Sequence, residues 1–126
     1  MNIFVFGSNL AGRHGKGAAL YARTHHNAQY GVGIGLTGSA YAIPTKDHKL
    51  KTLPLPTIQS YVDQFLAFAK NSPHLTFTLT PIGCGLAGYR YPDIAPMFLD
   101  SPPNVIVPEE FLQVIRTLKS KDKLRM

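Results

Sequence analysis

Two glycine-rich segments carry the residues of this chain that are best suited to binding a ligand. The first, residues 7–17, reads GSNLAGRHGKG and follows the β-forming run 3–6. The second, residues 81–89, reads PIGCGLAGY and follows the β-forming run 75–79. Glycine-rich turns between a strand and a helix bring backbone N–H groups close to an anion, and the helix N-terminus adds partial positive charge. Two such turns predict one phosphate-rich ligand that is held from two sides.

Three side chains beside these turns have a chemical and a structural interpretation. Asn9 directly follows a buried run, where its amide could hydrogen-bond a ligand or close its own turn. Lys46 follows another strand-like run and is either a cation of the site or a solvated lysine. Cys84 lies between two glycines and could be a nucleophile, but we favour a small buried side chain in a tight loop.

Two nucleotide-binding motifs are matched only in part. Residues 7–14 have the glycine spacing of a P-loop but end in Arg-His instead of Lys-Ser/Thr, so the magnesium-binding hydroxyl is missing and we exclude an NTPase. Residues 83–88 match GxGxxG, but 126 residues are too few for the two mononucleotide-binding halves of a dehydrogenase. The histidines show no metal-ligand spacing, so we predict neither a metal nor a cofactor.

The composition is that of one globular domain, with 44% hydrophobic residues in 126. No apolar run approaches the roughly 18 residues that a membrane span requires, so we expect no membrane partner. The first residues have neither the charged region nor the cleavage site of a signal peptide. A single cysteine excludes an internal disulfide and predicts a reducing, cytoplasmic setting.

The net charge of +6 is concentrated at the C-terminus, where residues 116–126 hold five basic residues and one acid. The preceding part of the chain has eight basic and six acidic residues. We therefore divide the chain into a domain over residues 1–115 and a basic helix end or tail over residues 116–126. A solvated helix end is the interpretation that we favour; the alternative is a nucleic-acid-binding accessory protein that uses this tail.

Hydrophobic patterning predicts alternating strands and helices. We expect strands at residues 2–6, 39–43, 76–80 and 105–107, and helices starting at residue 18 and covering residues 57–71, 92–99 and 109–121. Segment 30–38, with its alternating glycines, should be a loop or an irregular edge. This order predicts a three-layer α/β/α fold with a mostly parallel sheet. Loops 7–17, 44–51 and 81–91 would leave its carboxyl edge, where such folds bind ligands.

Four short segments together resemble the macrodomains, which bind ADP-ribose. They are Gly7-Ser-Asn9, His14-Gly-Lys-Gly-Ala-Ala19, Ile43-Pro-Thr-Lys46 and Pro81-Ile-Gly-Cys-Gly-Leu86. The resemblance spans residues 2–107 and is closest to the branch that contains ADP-ribosyl-glutamate and ADP-ribosyl-DNA hydrolases, as a small phage or bacterial variant. It implies a reduced macrodomain-like fold that binds ADP-ribose, a related nucleotide derivative or an ADP-ribosylated macromolecule.

The resemblance also implies roles for individual residues. Asn9 would face the distal ribose, residues 15–18 would line its pocket, and residues 83–88 would donate backbone hydrogen bonds to the diphosphate. Lys46 matches a catalytic lysine, which implies hydrolysis of an ADP-ribosyl bond, assisted by Asn9, His14 or Asp47. We rank this hydrolysis below binding. The full predicted ligand-binding set is Gly7, Ser8, Asn9, His14, Gly15, Lys16, Gly17, Ala18, Thr45, Gly83, Cys84, Gly85, Leu86, Ala87, Gly88 and Tyr89.

The chain departs from the family pattern at two places. In the glutamate-hydrolase pattern an acid follows Gly-Cys-Gly-Leu, whereas this chain has Ala87 there. The sequence also starts at the strand before the Asn-containing loop, without the preceding strand and the aspartate that contacts adenine. The first departure argues against a lysine–aspartate route of hydrolysis, and the second against the family's contact with adenine.

Overall fold

Strands and helices alternate along the part of the chain that the computed structural model describes, residues 1–125, with side-chain burial through Lys121. The elements are β1 (Asn2–Asn9), α1 (Gly17–His25), β2 (Gly35–Thr37), β3 (Ala40–Lys46), α2 (Leu55–Lys70), β4 (Thr76–Leu79), α3 (Tyr91–Ile94), a 3-10 helix (Ala95–Phe98), β5 (Val105–Ile106) and α4 (Glu109–Arg125).

The sheet has five strands in the order β2-β3-β1-β4-β5. β1 pairs in parallel with β3 and β4, and β4 pairs in parallel with β5. Only β2 is antiparallel, and it lies at the edge beside β3. The predicted α/β class with a mostly parallel sheet is therefore confirmed. In segment 30–38, which the sequence predicts as a loop or an irregular edge, residues 30–34 form no strand or helix, and residues 35–37 form the regular edge strand β2.

Alternate residues of the central strands point to two cores of unequal size. Ile3 and Val5 belong to a large cluster packed by α2, α3, the 3-10 helix and α4. Phe6 points to the other face and meets the alanines of α1 and β3 in a small cluster. The apolar stripe of α2 is buried as its spacing predicts, at Ile58, Val62, Phe65 and Ala69.

β1 and β3 are both longer than their sequences predict. β1 continues from Phe6 through Asn9, and β3 continues past Pro44 to Lys46. The two strands pair along this extension, with a register shift between Ser8 and Asn9. Pro44 is tolerated because it lies beyond the end of β2, which pairs only with residues 40–42. The extension moves Asn9 and Lys46 from predicted loops to the last positions of neighbouring strands.

The helical segment predicted at residues 92–99 is two shorter pieces. α3 ends at Ile94, and a 3-10 helix continues from Ala95 to Phe98. Each piece has a proline in its first turn, where the missing N–H is not needed. A single α-helix is excluded because Pro96 would break the hydrogen bond to the residue four positions earlier.

The basic segment 116–126 is helical through Arg125 as part of α4, and Met126 lies outside the described residues. Glu109 and Glu110 are in the first turn of α4, where they complement the helix dipole. Arg116 donates a 2.8 Å hydrogen bond to Glu109 between two exposed side chains, and such pairs stabilise a fold little. Within residues 1–125 no helix has both the length and the apolar character to cross a membrane.

Candidate ligand-binding site

The carboxyl ends of β1, β3 and β4 meet at one edge of the sheet, because the three strands are parallel neighbours. The loops that follow them, residues 10–16, 47–54 and 80–90, lead into α1, α2 and α3. A cavity of about 660 Å³ opens among these loops. The topology therefore places a cleft at the position where α/β folds bind ligands.

Most of the residues predicted from the sequence lie around this cavity. Those that line it are Gly7, Ser8, Asn9, Gly15, Lys16, Gly17, Ala18, Thr45, Lys46, Gly83, Gly85, Leu86 and Ala87. The structure does not place His14, Cys84, Gly88 or Tyr89 in the lining. Further lining residues that the prediction did not include are Arg13, Ala19, Tyr30, Leu50, Thr80, Pro81 and Ile82.

Some of the missed lining residues carried a signal in the sequence. Arg13 lies inside the first glycine-rich segment, and Pro81 begins the second. Tyr30 carried none, since it lies in a segment that the sequence identifies only as an irregular edge. It reaches the cavity because the carbonyl of Gly12 accepts a 2.7 Å hydrogen bond from the N–H of Gly31, the next residue.

The lining of the cavity is electropositive. Among the residues that the structure describes, Arg13, Lys16 and Lys46 are its charged residues, and no carboxylate lines it. α1 begins at its rim with Lys16 as N-cap, without a side-chain cap and without an acid in the first turn. The N–H groups of that turn therefore carry the uncompensated partial positive charge of a helix N-terminus. Both features favour an anion.

The second glycine-rich turn brings further backbone donors to the cavity. Within residues 1–125, the N–H groups of Gly85, Leu86 and Ala87 make no hydrogen bond. A side chain added at Gly85 would meet no atom within 4 Å, so this position faces open space. Leu86 reaches across to the first segment, since a Cβ on Gly17 would lie 3.5 Å from Cδ1 of Leu86. The two glycine-rich turns thus border one cavity.

Glycines in the first segment and in segment 30–38 also permit backbones to pack closely behind the cavity wall. A Cβ on Gly33 would lie 2.1 Å from the carbonyl oxygen of Asn9, and a Cβ on Gly12 would lie 2.2 Å from the carbonyl carbon of Gly31. Such distances are not compatible with any side chain. The Ser8 hydroxyl also donates a hydrogen bond to the carbonyl of Gly33. Segment 30–34 is therefore fastened to the end of β1.

Asn9 closes its own loop. Its Nδ2 donates to the carbonyl of Arg13 at 2.8 Å, and its Oδ1 accepts from the N–H of Arg13 at 2.9 Å. These two hydrogen bonds support the structural interpretation of Asn9, in which the amide closes its own turn. The side chain also lines the cavity. Asn9 thereby holds Arg13 at the cavity wall.

His14 is completely buried and lies behind the lining. Its Nε2 donates to the carbonyl of Val32 at 3.0 Å, and its ring packs edge-on against Phe6 with the ring centroids 5.4 Å apart. Among the described residues, Nδ1 has no hydrogen-bond partner. Burial lowers the pKa of His14 below its ordinary value, so the neutral ring fastens loop 10–16 to segment 30–34.

Cys84 is half-buried and packs against the large core cluster. Burial, with a smaller contribution from the charge of Asp93, raises the pKa of its thiol to about 11. A thiol with this pKa is protonated at neutral pH and is a poor nucleophile. The structural interpretation of Cys84 is the one that this environment supports.

Asp47, which follows Lys46, is occupied by its own turn. Its Oδ1 accepts hydrogen bonds from the N–H groups of Lys51 at 3.0 Å and Lys49 at 2.8 Å. These bonds, that of Lys51 first, lower the pKa of the carboxyl group, and Asp47 does not line the cavity. Lys46 therefore lines the cavity without a carboxylate beside it in the lining.

Two hydrogen bonds join the loop after β3 to the second glycine-rich turn. The Thr52 hydroxyl donates to the carbonyl of Ala87 at 2.8 Å, and the Tyr89 hydroxyl donates to the carbonyl of Leu53 at 2.6 Å. Tyr89 thus supports the turn from behind, which explains its absence from the lining.

Comparisons with known proteins add no family assignment. Neither the protein-family models, nor the curated proteins, nor the solved structures give a match to this chain. In residues 1–125, no group of three or more His, Cys, Asp or Glu side chains is arranged to hold a metal ion. The function has to be argued from the cavity itself.

Proposed function

We propose that this protein binds ADP-ribose, or a related nucleotide diphosphate derivative, in the cavity at the carboxyl edge of the sheet. One observation carries the proposal. Within the described part of the chain, two sets of free backbone N–H groups, at the start of α1 and at residues 85–87, border a cavity that has three cations and no carboxylate. A diphosphate offers the several acceptor oxygens that such donors need.

The size and the lining of the cavity agree with this ligand class. Its volume of about 660 Å³ falls within the range of small-molecule sites. Tyr30 and Leu50 add an aromatic and an aliphatic surface on which a base or ribose could rest. Ser8, Thr45 and Thr80 supply hydroxyls, although each hydroxyl already donates to a carbonyl of the sheet or of segment 30–34.

Binding is better supported than hydrolysis. General acid–base chemistry needs a group that can give or take a proton beside the reacting bond. The three residues predicted to assist Lys46 are engaged elsewhere. Asn9 and Asp47 form hydrogen bonds within their own loops, and His14 is buried behind the lining. Of Lys46, His14 and Asp47, the titratable groups proposed for hydrolysis, only Lys46 lines the cavity.

Calorimetric titration with ADP-ribose, NAD and AMP tests the proposal. We expect ADP-ribose to bind at least about tenfold more tightly than AMP, which cannot place phosphates at both turns. Lys16→Gln should weaken ADP-ribose binding by about tenfold, because it removes a charge-assisted contact. Lys70→Gln on α2, which removes the same charge outside the lining, should change nothing. Equal affinities for AMP and ADP-ribose, or no binding of either, would refute the proposal.

A further inference from the structure

Acidic side chains are absent from one entire layer of the molecule. Residues 1–46, which form β1, α1, β2 and β3, contain four cations and no Asp or Glu. The residues of β4 and β5 that point to the α1 side of the sheet are Thr76, Thr78 and Ile106. We call the surface made by α1, segment 26–39 and this side of the sheet the acid-free face.

The acids whose side chains the structure describes lie elsewhere. Asp63, Asp93, Asp100, Glu109 and Glu110 belong to α2, to α4 or to the stretch from α3 to β5, on the side of the large core cluster. Asp47 lies in the turn after β3 and is hydrogen-bonded within it. Because the charges are separated between layers, the positive potential of the acid-free face is not cancelled locally.

α1 covers only part of its side of the sheet. It packs on β1, and the small core extends from there to β3. Thr76 is exposed, Thr78 is half-buried, and Ile106 keeps 53% of its surface in solvent. The sheet beside α1, over β4 and β5, is therefore an open surface to which the described residues contribute no carboxylate.

Four rings are stacked where α1 meets this open surface. Tyr21 stacks on His25 with centroids 4.2 Å apart, and Phe4 stacks on His26 with centroids 4.5 Å apart. Tyr21 joins the two pairs, at 5.3 Å from Phe4. His25 and Tyr21 are exposed, Tyr21 with 48% of its surface in solvent. An exposed ring platform of this kind can stack with further planar groups.

Cations lie on the same helix and beside it. Arg23 is exposed on α1, with its guanidinium 5.5 Å from the centre of the Tyr30 ring. Lys16 and Arg13 are exposed at the N-terminal end of the helix. Stacking rings combined with a row of cations are the two features by which proteins hold single-stranded nucleic acids without sequence preference.

We propose that the acid-free face binds a single-stranded nucleic acid. Phosphates would contact Arg23, Lys16 and Arg13, and bases would stack on Tyr21 and His25. A duplex keeps its bases inside the helix and could not use the rings, whereas an acidic peptide would use the cations alone. Arg13 and Lys16 also line the cavity, whereas Tyr21, Arg23 and His25 do not, so substitutions of these last three residues test the proposal separately from ADP-ribose binding.

Fluorescence anisotropy with a labelled oligothymidylate of about 12 nucleotides tests the proposal. We expect binding at low salt, with log K falling against log salt with a slope of about 2, as three phosphate contacts on a single strand imply. Tyr21→Leu keeps an apolar cover over Phe4 but removes the aromatic platform, and it should weaken binding by about fivefold or more. Arg23→Gln should lower the salt slope by about 0.7.

Matched controls separate this face from the rest of the molecule. Lys70→Gln on α2 removes one positive charge elsewhere, and the pair Lys119→Gln with Lys121→Gln on α4 removes two. Both variants should leave the salt slope unchanged. Tyr21→Leu should keep the melting temperature and the calorimetric affinity for ADP-ribose. The proposal is overturned by a lack of binding at low salt, by equal affinity for a duplex, by equal competition from polyglutamate, or by loss of binding in the α4 variants alone.

Discussion

Asn9 illustrates how a lining residue can be part of the scaffold. The Nδ2 and Oδ1 atoms of its side chain both form hydrogen bonds with the backbone of Arg13, so the main role of this side chain is to shape the loop. One donor hydrogen of Nδ2 and one lone pair of Oδ1 remain for a ligand. A substitution of Asn9 would therefore change ligand binding in part by moving the loop that this residue holds.

Asn9→Ala should destabilise the fold by about 1–3 kcal/mol, because two backbone groups of Arg13 lose their partners. Asn9→Asp keeps the acceptor for the N–H of Arg13 and should lose less stability. Thermal unfolding and ADP-ribose affinity should be measured on both variants. An unchanged melting temperature with affinity reduced tenfold would instead assign the amide to the ligand.

His14 should make stability depend on pH. Its folded pKa is lowered below its ordinary 6.5, so between these two values the unfolded chain binds more protons than the folded one. The contribution of His14 is fully present above about pH 6.5 and is lost as the pH falls towards the lowered folded pKa.

Chemical denaturation from pH 7.5 to 5 measures this dependence. His14→Gln should flatten the curve in that window, while His48→Gln, at an exposed position, should leave the curve as it is in the wild type. If the free energy of unfolding of the wild-type protein does not change over this window, a lowered pKa of His14 in the folded state is contradicted.

Lys46 decides whether the site is catalytic. If its amine takes part in chemistry, Lys46→Ala should abolish release of ADP-ribose from an ADP-ribosylated substrate while ADP-ribose affinity stays within several-fold. Release is measured by chromatography on ADP-ribosyl-glutamate and ADP-ribosyl-DNA. If the wild-type protein releases nothing from either, hydrolysis of these two substrates should be rejected and binding retained.

At the scale of elements, the second glycine-rich segment and segment 30–38 use glycine for different reasons. Gly85 faces open space at the rim of the cavity, whereas Gly33 is pressed against the carbonyl of Asn9 behind the wall. One glycine leaves room for a ligand, and the other lets two backbones approach each other.

These two positions predict opposite outcomes. Gly85→Val should keep the melting temperature and abolish ADP-ribose binding, because its side chain would occupy the approach to the N–H groups of residues 85–87. Gly33→Ala should destabilise the fold, since the added Cβ cannot fit 2.1 Å from an oxygen atom. Differential scanning fluorimetry with and without ADP-ribose separates them. A Gly85→Val variant that still binds would remove this turn from the site.

At the scale of the whole molecule, the cavity depends on three loops that belong to different parts of the chain. Hydrogen bonds from Thr52 and Tyr89 join two of these loops, and Leu86 reaches the third at Gly17. A ligand in the cavity would therefore stabilise the sheet edge as a unit and not a single loop.

ADP-ribose at about 100 times its dissociation constant should stabilise the protein by about 2.7 kcal/mol. Hydrogen exchange should slow in residues 10–18 and 83–88 together, and it should not change at the N-terminal edge of the sheet. Slowing that is confined to one of the two segments would contradict a ligand held from two sides.

The sequence by itself determined the fold class and the edge of the sheet where the glycine-rich loops gather. Alternating apolar strands and amphipathic helices dictate a parallel sheet, and the position of the glycine-rich segments after strands brings them to the carboxyl edge. The stripe of α2 was predictable because it depends on local spacing. The same local reasoning could not predict that β3 continues past Pro44, since this depends on where its neighbour β2 ends.

Only the tertiary structure decided which polar groups remain free for a ligand. Asn9, His14 and Asp47 look available in the sequence, but the first and third close their own loops, and the second is buried against Val32. Tyr30 enters the cavity through a backbone contact with a segment far from it in sequence. The acid-free face likewise arises because the fold places the carboxylates of later residues in the opposite layer. Hydrogen-bond partners and burial depend on contacts between distant residues, and a local pattern in the sequence does not contain them.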